Sequence, residues 1–254
     1  MNTLQPLLSV RKLSLSFRNR KLAVDQVSFD LEAGKTLGLV GASGAGKSSV
    51  ARAILHLLEP DAGQILFNGE DVFSMDRPQL KYLRQRIQIV FQEPSASLSP
   101  RRTVAQTLLE PLDHFAIGDK DYRQDKIRQT LQTVGLDEAV LQRLPHQFSS
   151  GQQQRIAIAR ALVTNPELLI ADEAVSALDV SIQAQILQLI QSLQKEHGIA
   201  FLFISHDLAV IRQIADEVAV MYQGRLLEHL PADDFFSGPD HPYSKKLLSF
   251  ASFA

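Results

Sequence analysis

The sequence predicts an α/β protein: a mainly parallel β-sheet with helices on both faces, antiparallel strands near its N-terminus and a helical insertion in the middle. Three observations lead there. Short apolar runs with strand character recur along the chain, at 36–40, 87–91, 168–171, 200–204 and 218–221. Helical patterns alternate with several of them, at 48–58, 181–195 and 208–214. Strand–helix alternation is the pattern of a parallel sheet covered on both faces. From Thr103 to about Val163 the periodicity is instead helical.

Taken in order, Leu13, Leu15 and Phe17 alternate with polar residues, as do Val27, Phe29 and Leu31 with Ser28, Asp30 and Glu32. A period of two marks half-buried strands. Thr36 to Val40 is a short apolar strand ending at Gly41, and a helix follows from Ser48 to Leu58, stopped by Glu59-Pro60. Asn68-Gly69, after Ile65 and Phe67, is a hairpin turn signal. In the insertion, Ile127, Leu131 and Val134 share one face of a helix from Gln124 to Val134 that ends at Gly135, and a second helix spans Gln152 to Leu162.

The chain has 254 residues, enough for one large domain or two small ones. A net charge of −2 implies no basic face for nucleic acid. There are no cysteines, which excludes disulfides, thiol catalysis and Cys-ligated zinc or iron–sulfur clusters, and fits a reducing compartment. No apolar run reaches the roughly 18 residues of a membrane span. The first residues, Met1 to Pro6, lack the charged and apolar regions of a signal peptide. A role at a membrane is therefore expected from its cytoplasmic side and through a partner.

Gly41-Ala42-Ser43-Gly44-Ala45-Gly46-Lys47-Ser48 fits G-x-x-x-x-G-K-[ST] in full, with a strand before it and a helix after it. Glycines let the backbone wrap phosphates, and the loop N–H groups and helix N-terminus favour their charge. Lys47 is expected on the β- and γ-phosphates, and the Ser48 hydroxyl on Mg2+; Ser49 follows in the same nucleotide-binding turn. A match in a glycine-rich turn can also arise by chance. The motif alone leaves GTPases, kinases, helicases and transport motors open.

Leu168 to Ala171 is an apolar strand ending in Asp172-Glu173. An Asp at such a strand end holds Mg2+ in phosphate-loop enzymes, and an adjacent Glu can polarise the attacking water. Successive strand residues point in opposite directions, so two roles are natural. The alternative is a strand turning polar as it reaches the surface.

Phe148-Ser149-Ser150-Gly151-Gln152, continued by Gln153, Gln154 and Arg155, resembles the L-S-G-G-Q signature of ATP-binding cassette (ABC) ATPases. Other marks of that family fall in order: Gln92 resembles its Q-loop, Ser176-Ala177-Leu178-Asp179 its D-loop, His206 its switch histidine, and Phe17 stands where the family places an aromatic against adenine. The resemblance runs from about Leu8 to Leu230. It implies a P-loop NTPase (RecA-like) core, with the ABC ATPase domain over 1–236, its helical subdomain at about 97–163, and a short C-terminal segment at 237–254. It implies ATP and Mg2+ as cofactors. Two cassettes would sandwich two ATP molecules, each lying between one chain's phosphate loop and the other's signature, where Ser149, Gly151 and Gln152, with Asp179 nearby, would meet it. Gln92 would sense Mg2+ and water, and His206 would hold the γ-phosphate and orient Glu173. Taken singly, Gln92 reads as a surface residue, His206 as structural, Phe17 as core and Asp179 as a helix cap.

Ser150 stands where the family has a glycine. If its φ is positive, a serine there costs roughly 1–3 kcal/mol, and the site it completes on a partner is expected to be the weaker of two. If its φ is negative, the hydroxyl is harmless or adds a phosphate contact.

Glu93-Pro94-Ser95-Ala96-Ser97-Leu98-Ser99-Pro100-Arg101, the stretch from Asp172 to Gln185, and His241-Pro242-Tyr243-Ser244-Lys245-Lys246-Leu247-Leu248 resemble segments of the oligopeptide/dipeptide/nickel importers, specifically their second, shorter cassette. This implies an energising subunit on the cytoplasmic face of the membrane. Its partners would be a second cassette, two integral membrane permease subunits and an external solute-binding protein. Peptides and nickel or other metal complexes both remain as cargo. The rival is a non-transport ABC ATPase of DNA repair or translation, but those carry long coiled-coil or zinc insertions or two fused cassettes. No Asn-Lys-x-Asp of a GTPase is present.

Overall fold

The computed structural model describes residues 5–16, 22–93 and 97–251. Strands β1 (Leu8–Ser16) and β2 (Leu22–Leu31) precede β3 (Thr36–Val40), and β4 (Ala62–Phe67) and β5 (Glu70–Asp71) follow it. An antiparallel sheet forms in the order β2-β1-β4-β5. The period of two holds: Leu13, Leu15, Val27, Phe29 and Leu31 are buried, and Ser28 is exposed. Asn68 and Gly69 turn β4 into β5 with φ of 50° and 81°, the two left-handed residues that a tight hairpin between twisted strands needs. Phe17 lies outside the described residues.

The main sheet adds β6 (Ile87–Phe91), β7 (Leu168–Asp172), β8 (Ala200–Ser205), β9 (Glu217–Tyr222) and β10 (Arg225–Pro231) to β3, in the order β10-β9-β3-β8-β7-β6. All neighbours are parallel except β9 and β10. Strand β10 was not anticipated. Its hairpin turns on Gln223-Gly224 with φ of 48° and 84°, the geometry of the Asn68-Gly69 turn without the asparagine that signals it.

Nine helices lie among the described residues: α1 (Lys47–Ile54), α2 (Arg77–Arg86), α3 (Val104–His114), α4 (Lys120–Thr133), α5 (Ser150–Leu162), α6 (Val180–His197), α7 (Leu208–Ile214), α8 (Ala232–Ser237) and α9 (Pro242–Phe250). Strand β8 is buried throughout, and apolar up to Ser205, because each face meets a different core. Leu202 and Ile204 pack with Val50 and Ile54 of α1 and with the antiparallel sheet. Phe201 and Phe203 pack with α6, α7 and the helices of the insertion. Alternating sides and burial on both is what a central parallel strand requires.

Helix ends depart from the expected ones where caps intervene. Helix α1 stops at Ile54, well before Pro60: His56 has φ 53°, and the N–H groups of Leu57 and Leu58 both reach the Arg52 carbonyl (2.8 and 3.3 Å). A left-handed residue closing back onto the last turn ends a helix without proline. Helix α4 starts at Lys120 because Asp119 accepts the Tyr122 N–H (2.9 Å). Helix α5 starts at Ser150 because Ser149 is its N-cap.

Candidate functional site

Strands β3, β8, β7 and β6 lie side by side and parallel, so their carboxyl ends share one edge of the sheet. Ligand sites of open α/β sheets form at that edge. The residues that follow the four strands are Gly41, His206, Glu173 and Gln92, all singled out from sequence.

The loop from Gly41 to Gly46 joins β3 to α1. Ala42, Ser43 and Gly44 form its exposed crest, while Ala45 and Ser49 are buried beneath it. Gly46, with φ 103°, is the N-cap of α1. A Cβ there would collide with the Ala23 carbonyl, so only glycine fits. The β9–β10 hairpin braces the loop, since the Gly224 N–H donates to the Ala45 carbonyl (3.0 Å). Lys47 is 5% exposed, and its Nζ donates to the carbonyls of Gly41 (2.7 Å) and Ala42 (3.1 Å). Burial holds its pKa below the ordinary lysine value, against the pull of Glu173 and Asp172. Such a lysine gains from an anion arriving beside it.

The two acids diverge as expected of successive residues. Asp172 accepts a hydrogen bond at Oδ1 from the Ser48 hydroxyl (3.0 Å). Burial raises its pKa; the Ser48 bond opposes this and the charge of Glu173 adds to it. Glu173 has φ 52°, a left-handed conformation that costs a non-glycine residue roughly 1–3 kcal/mol and clusters at functional sites. Its N–H donates to the Ile204 carbonyl (3.0 Å) and its carbonyl accepts from the Ser176 N–H (3.1 Å), which hold the bend. The side chain thereby leaves the line of β7 and meets His206, with Nδ1 3.2 Å from Glu173 Oε1.

Ser43, Ser48, Gln92, Asp172 and Glu173 line one open cleft of about 660 Å³. Arg52, Ser97 and Arg160 line it too, and were not anticipated. Arg52 was legible, lying one turn beyond Ser48 on the same helix face. Arg160 comes from the insertion, and nothing local signals its arrival.

The signature lies elsewhere. Among the described residues lining the cleft, none belongs to 149–152 and Asp179 is absent. Ser149 and Gln152 form a reciprocal cap: the Gln152 N–H donates to Ser149 Oγ (3.3 Å) and the Ser149 N–H to Gln152 Oε1 (3.1 Å). Asp179 caps α6 by accepting the Ile182 N–H (2.9 Å). Ser150 is the first residue of α5 and is not among the residues with positive φ. The conformational cost considered for a serine at this position therefore does not arise.

The sequence profile described as ABC transporter matches residues 24–176. A putative peptide import ATP-binding protein of Brucella ovis is 47% identical over 247 residues, covering 96% of this chain and 78% of that one. The oligopeptide transport ATP-binding protein OppF of Bacillus subtilis is 48% identical over 250 residues, covering 96% and 82%. Among solved structures, cbiO1 from Clostridium perfringens, part of the ABC transporter complex cbiONQ, superposes with a TM-score of 0.85 at 27% identity, covering 92% of each chain. The cassette MJ0796, in a dimeric post-hydrolysis state bound to ADP and Pi, superposes with a TM-score of 0.78 at 27% identity, covering 89% of this chain and 98% of that one. These relatives do not favour a non-transport ATPase of repair or translation. With its phosphate loop, its paired acids and its near full-length similarity to import and transport cassettes, this chain belongs to the ABC transporter family, as one of its ATP-binding and ATP-hydrolysing subunits.

Proposed function

We propose that this chain energises the import of small peptides, working from the cytoplasmic face of the cell membrane with a second cassette, two integral membrane permease subunits and an external solute-binding protein. One observation carries the shared-site part of this reading. Lys47, Ser48, Asp172, Glu173 and His206 converge at one edge of the sheet, while Ser149, Gly151, Gln152 and Asp179 line no part of the cleft there. A chain that carries both sets apart can complete two sites only by pairing. Among the described residues no helix is long and apolar enough to cross a membrane, which agrees with integral partners. Peptide as cargo, in preference to nickel complexes, rests on the names of the similar proteins. In this reading the cassette occupies 1–236, with a helical part at about 97–163, and 237–254 is an appended segment.

In the proposed site Lys47 and the N–H groups of the 41–48 loop bind the phosphates. Glu173 takes a proton from the attacking water, and His206 fixes its carboxylate from 3.2 Å away. Gln92, at the end of the neighbouring strand β6, holds that water too. The partner's Ser149, Gly151 N–H and Gln152 face the γ-phosphate from the positive end of a helix. Phe17 is assigned to the adenine. The residues present fit Mg2+. Ser48 Oγ and Asp172 are hard oxygen donors 3.0 Å apart, and a buried Asp172 pushed toward protonation is steadied by a dication. Bound with ATP, Mg2+ supplies positive charge to the phosphate oxygens.

The test is uptake by the complete transporter in proteoliposomes with ATP inside. Short peptides should accumulate, and Lys47→Ala should abolish accumulation. Uptake of a nickel complex with none of peptides would sink the cargo assignment, and no ATP-dependent uptake of either would sink the importer.

A further inference from the structure

We infer that Arg160 is a positioning residue for hydrolysis: from the last turn of α5 it holds Ser97, five positions after Gln92, at the nucleotide cleft. Its Nη1 donates to the Ser97 carbonyl (3.3 Å). Its Nη2 lies 3.6 Å from Glu110 Oε2 on α3, and Arg102 takes the other Glu110 oxygen at 2.7 Å. Ser97 comes five positions after Gln92 and lines the cleft with Gln92, Asp172 and Glu173. On its other side the arginine faces a second cavity of about 430 Å³, with Leu55, Leu57, Phe91 and Phe115 in its walls. Arg160 therefore lines both cavities. Phe91, next to Gln92, also reaches both.

The chemistry suits this place. A guanidinium presents several donors in a planar fork and can hold a carbonyl and a carboxylate at once, whereas an ammonium is a single compact charge. Stability does not account for the contact, because the Arg160 and Glu110 side chains are 39% and 43% exposed, and exposed ion pairs contribute little. What the contact does fix is geometry. Helix α5 opens at the signature and carries Arg160 near its other end, so one rigid rod joins the group offered to the partner's ATP to the segment serving this chain's own.

The inference rests on the role proposed for Gln92, and a double-mutant cycle separates the two. In the assembled transporter, Arg160→Ala should lower kcat about ten- to a hundredfold, the size of effect expected from misplacing a group by an ångström or less. ATP affinity of the isolated chain should stay within about twofold and its urea midpoint should hold. In a Gln92→Ala background the same change should cost almost nothing further, because coupled residues are not additive. The cycle is repeated with Arg160→Lys, which keeps stem and charge and should recover only part of the rate. A lysine variant with the parent's kcat, or losses that add with Gln92→Ala, would overturn the inference alone. A Gln92→Ala transporter hydrolysing at the parent rate would overturn the role of Gln92 and the inference with it.

Discussion

Gly151 on α5 packs so tightly against Ile182 on α6 that a Cβ at residue 151 would collide with the Ile182 Cγ2 methyl. The requirement is one of space, since Gly151 is not among the glycines with positive φ. Ile182 is β-branched and stiff at χ1, and its N–H is tied to the Asp179 carboxylate (2.9 Å), so its backbone cannot move without loosening the cap of α6. Gly151→Ala should therefore lower unfolding free energy by about 1–3 kcal/mol, the usual cost of overpacking. An unchanged urea midpoint would show that the two helices can part freely.

Glu173→Gln should keep nucleotide binding and slow hydrolysis by about 10²–10⁴-fold, the usual contribution of a general base. The amide retains the shape and the reach to His206 but cannot take a proton. An ATP-bound dimer should then persist through size-exclusion chromatography. Turnover near the parent rate would remove Glu173 from the role.

Asp172 gives a prediction on stability with a defined sign. Burial raises its folded pKa, so the folded state holds the proton more tightly than the unfolded chain does. Stability from this group is full below the unfolded value and declines as pH rises through the folded one. At neutral pH the ionised carboxylate is therefore a net cost. Asp172→Asn, measured in chelator, should raise the melting temperature at pH 7 and keep the acceptor oxygen for Ser48. The gain should shrink toward the parent as pH falls to about 4, the ordinary aspartate range. A lower melting temperature at pH 7 would mean that nearby Arg52 and Lys47 more than repay the desolvation. Hydrolysis should be lost in either case, the usual exchange of stability for a functional charge.

The main strands were legible because a buried strand declares itself by apolar continuity and β-branched content, as at 36–40 and 200–204. The residues at strand ends were legible for a related reason: parallel strands deliver Gly41, Gln92, Glu173 and His206 to one edge whatever the loops do. Helix ends were not, because they depend on single capping contacts such as Asp119 with Tyr122 or the left-handed turn at His56. Nor was the bend at Glu173, whose φ of 52° is held by contacts from β8 and Ser176. Arg160 was hidden because its partners Ser97 and Glu110 are 63 and 50 positions away in sequence.

Ser150 is where structure redirects the argument most. A glycine is expected in this signature if the backbone must take a left-handed turn to bring N–H groups near a phosphate. Here no left-handed turn is made: Ser149 is the N-cap in extended conformation (φ −65°, ψ 162°), and Ser150 begins the helix. A serine in the first turn carries no strain, and its side chain is exposed. The inequality between two ATP sites that a strained serine would have caused therefore loses its physical basis. Ser150→Gly should instead weaken α5 slightly, by up to about 1 kcal/mol, because glycine is the poorer helix former. Nucleotide affinity of the isolated chain should not change, since Ser150 lies outside its own cleft. Steady-state hydrolysis by the assembled transporter then reads the hydroxyl alone. No change means that it is a spectator, and a loss means that it contacts the partner's nucleotide. A clear gain in activity would show that the paired state strains this turn in a way the single chain does not, and would restore the inequality.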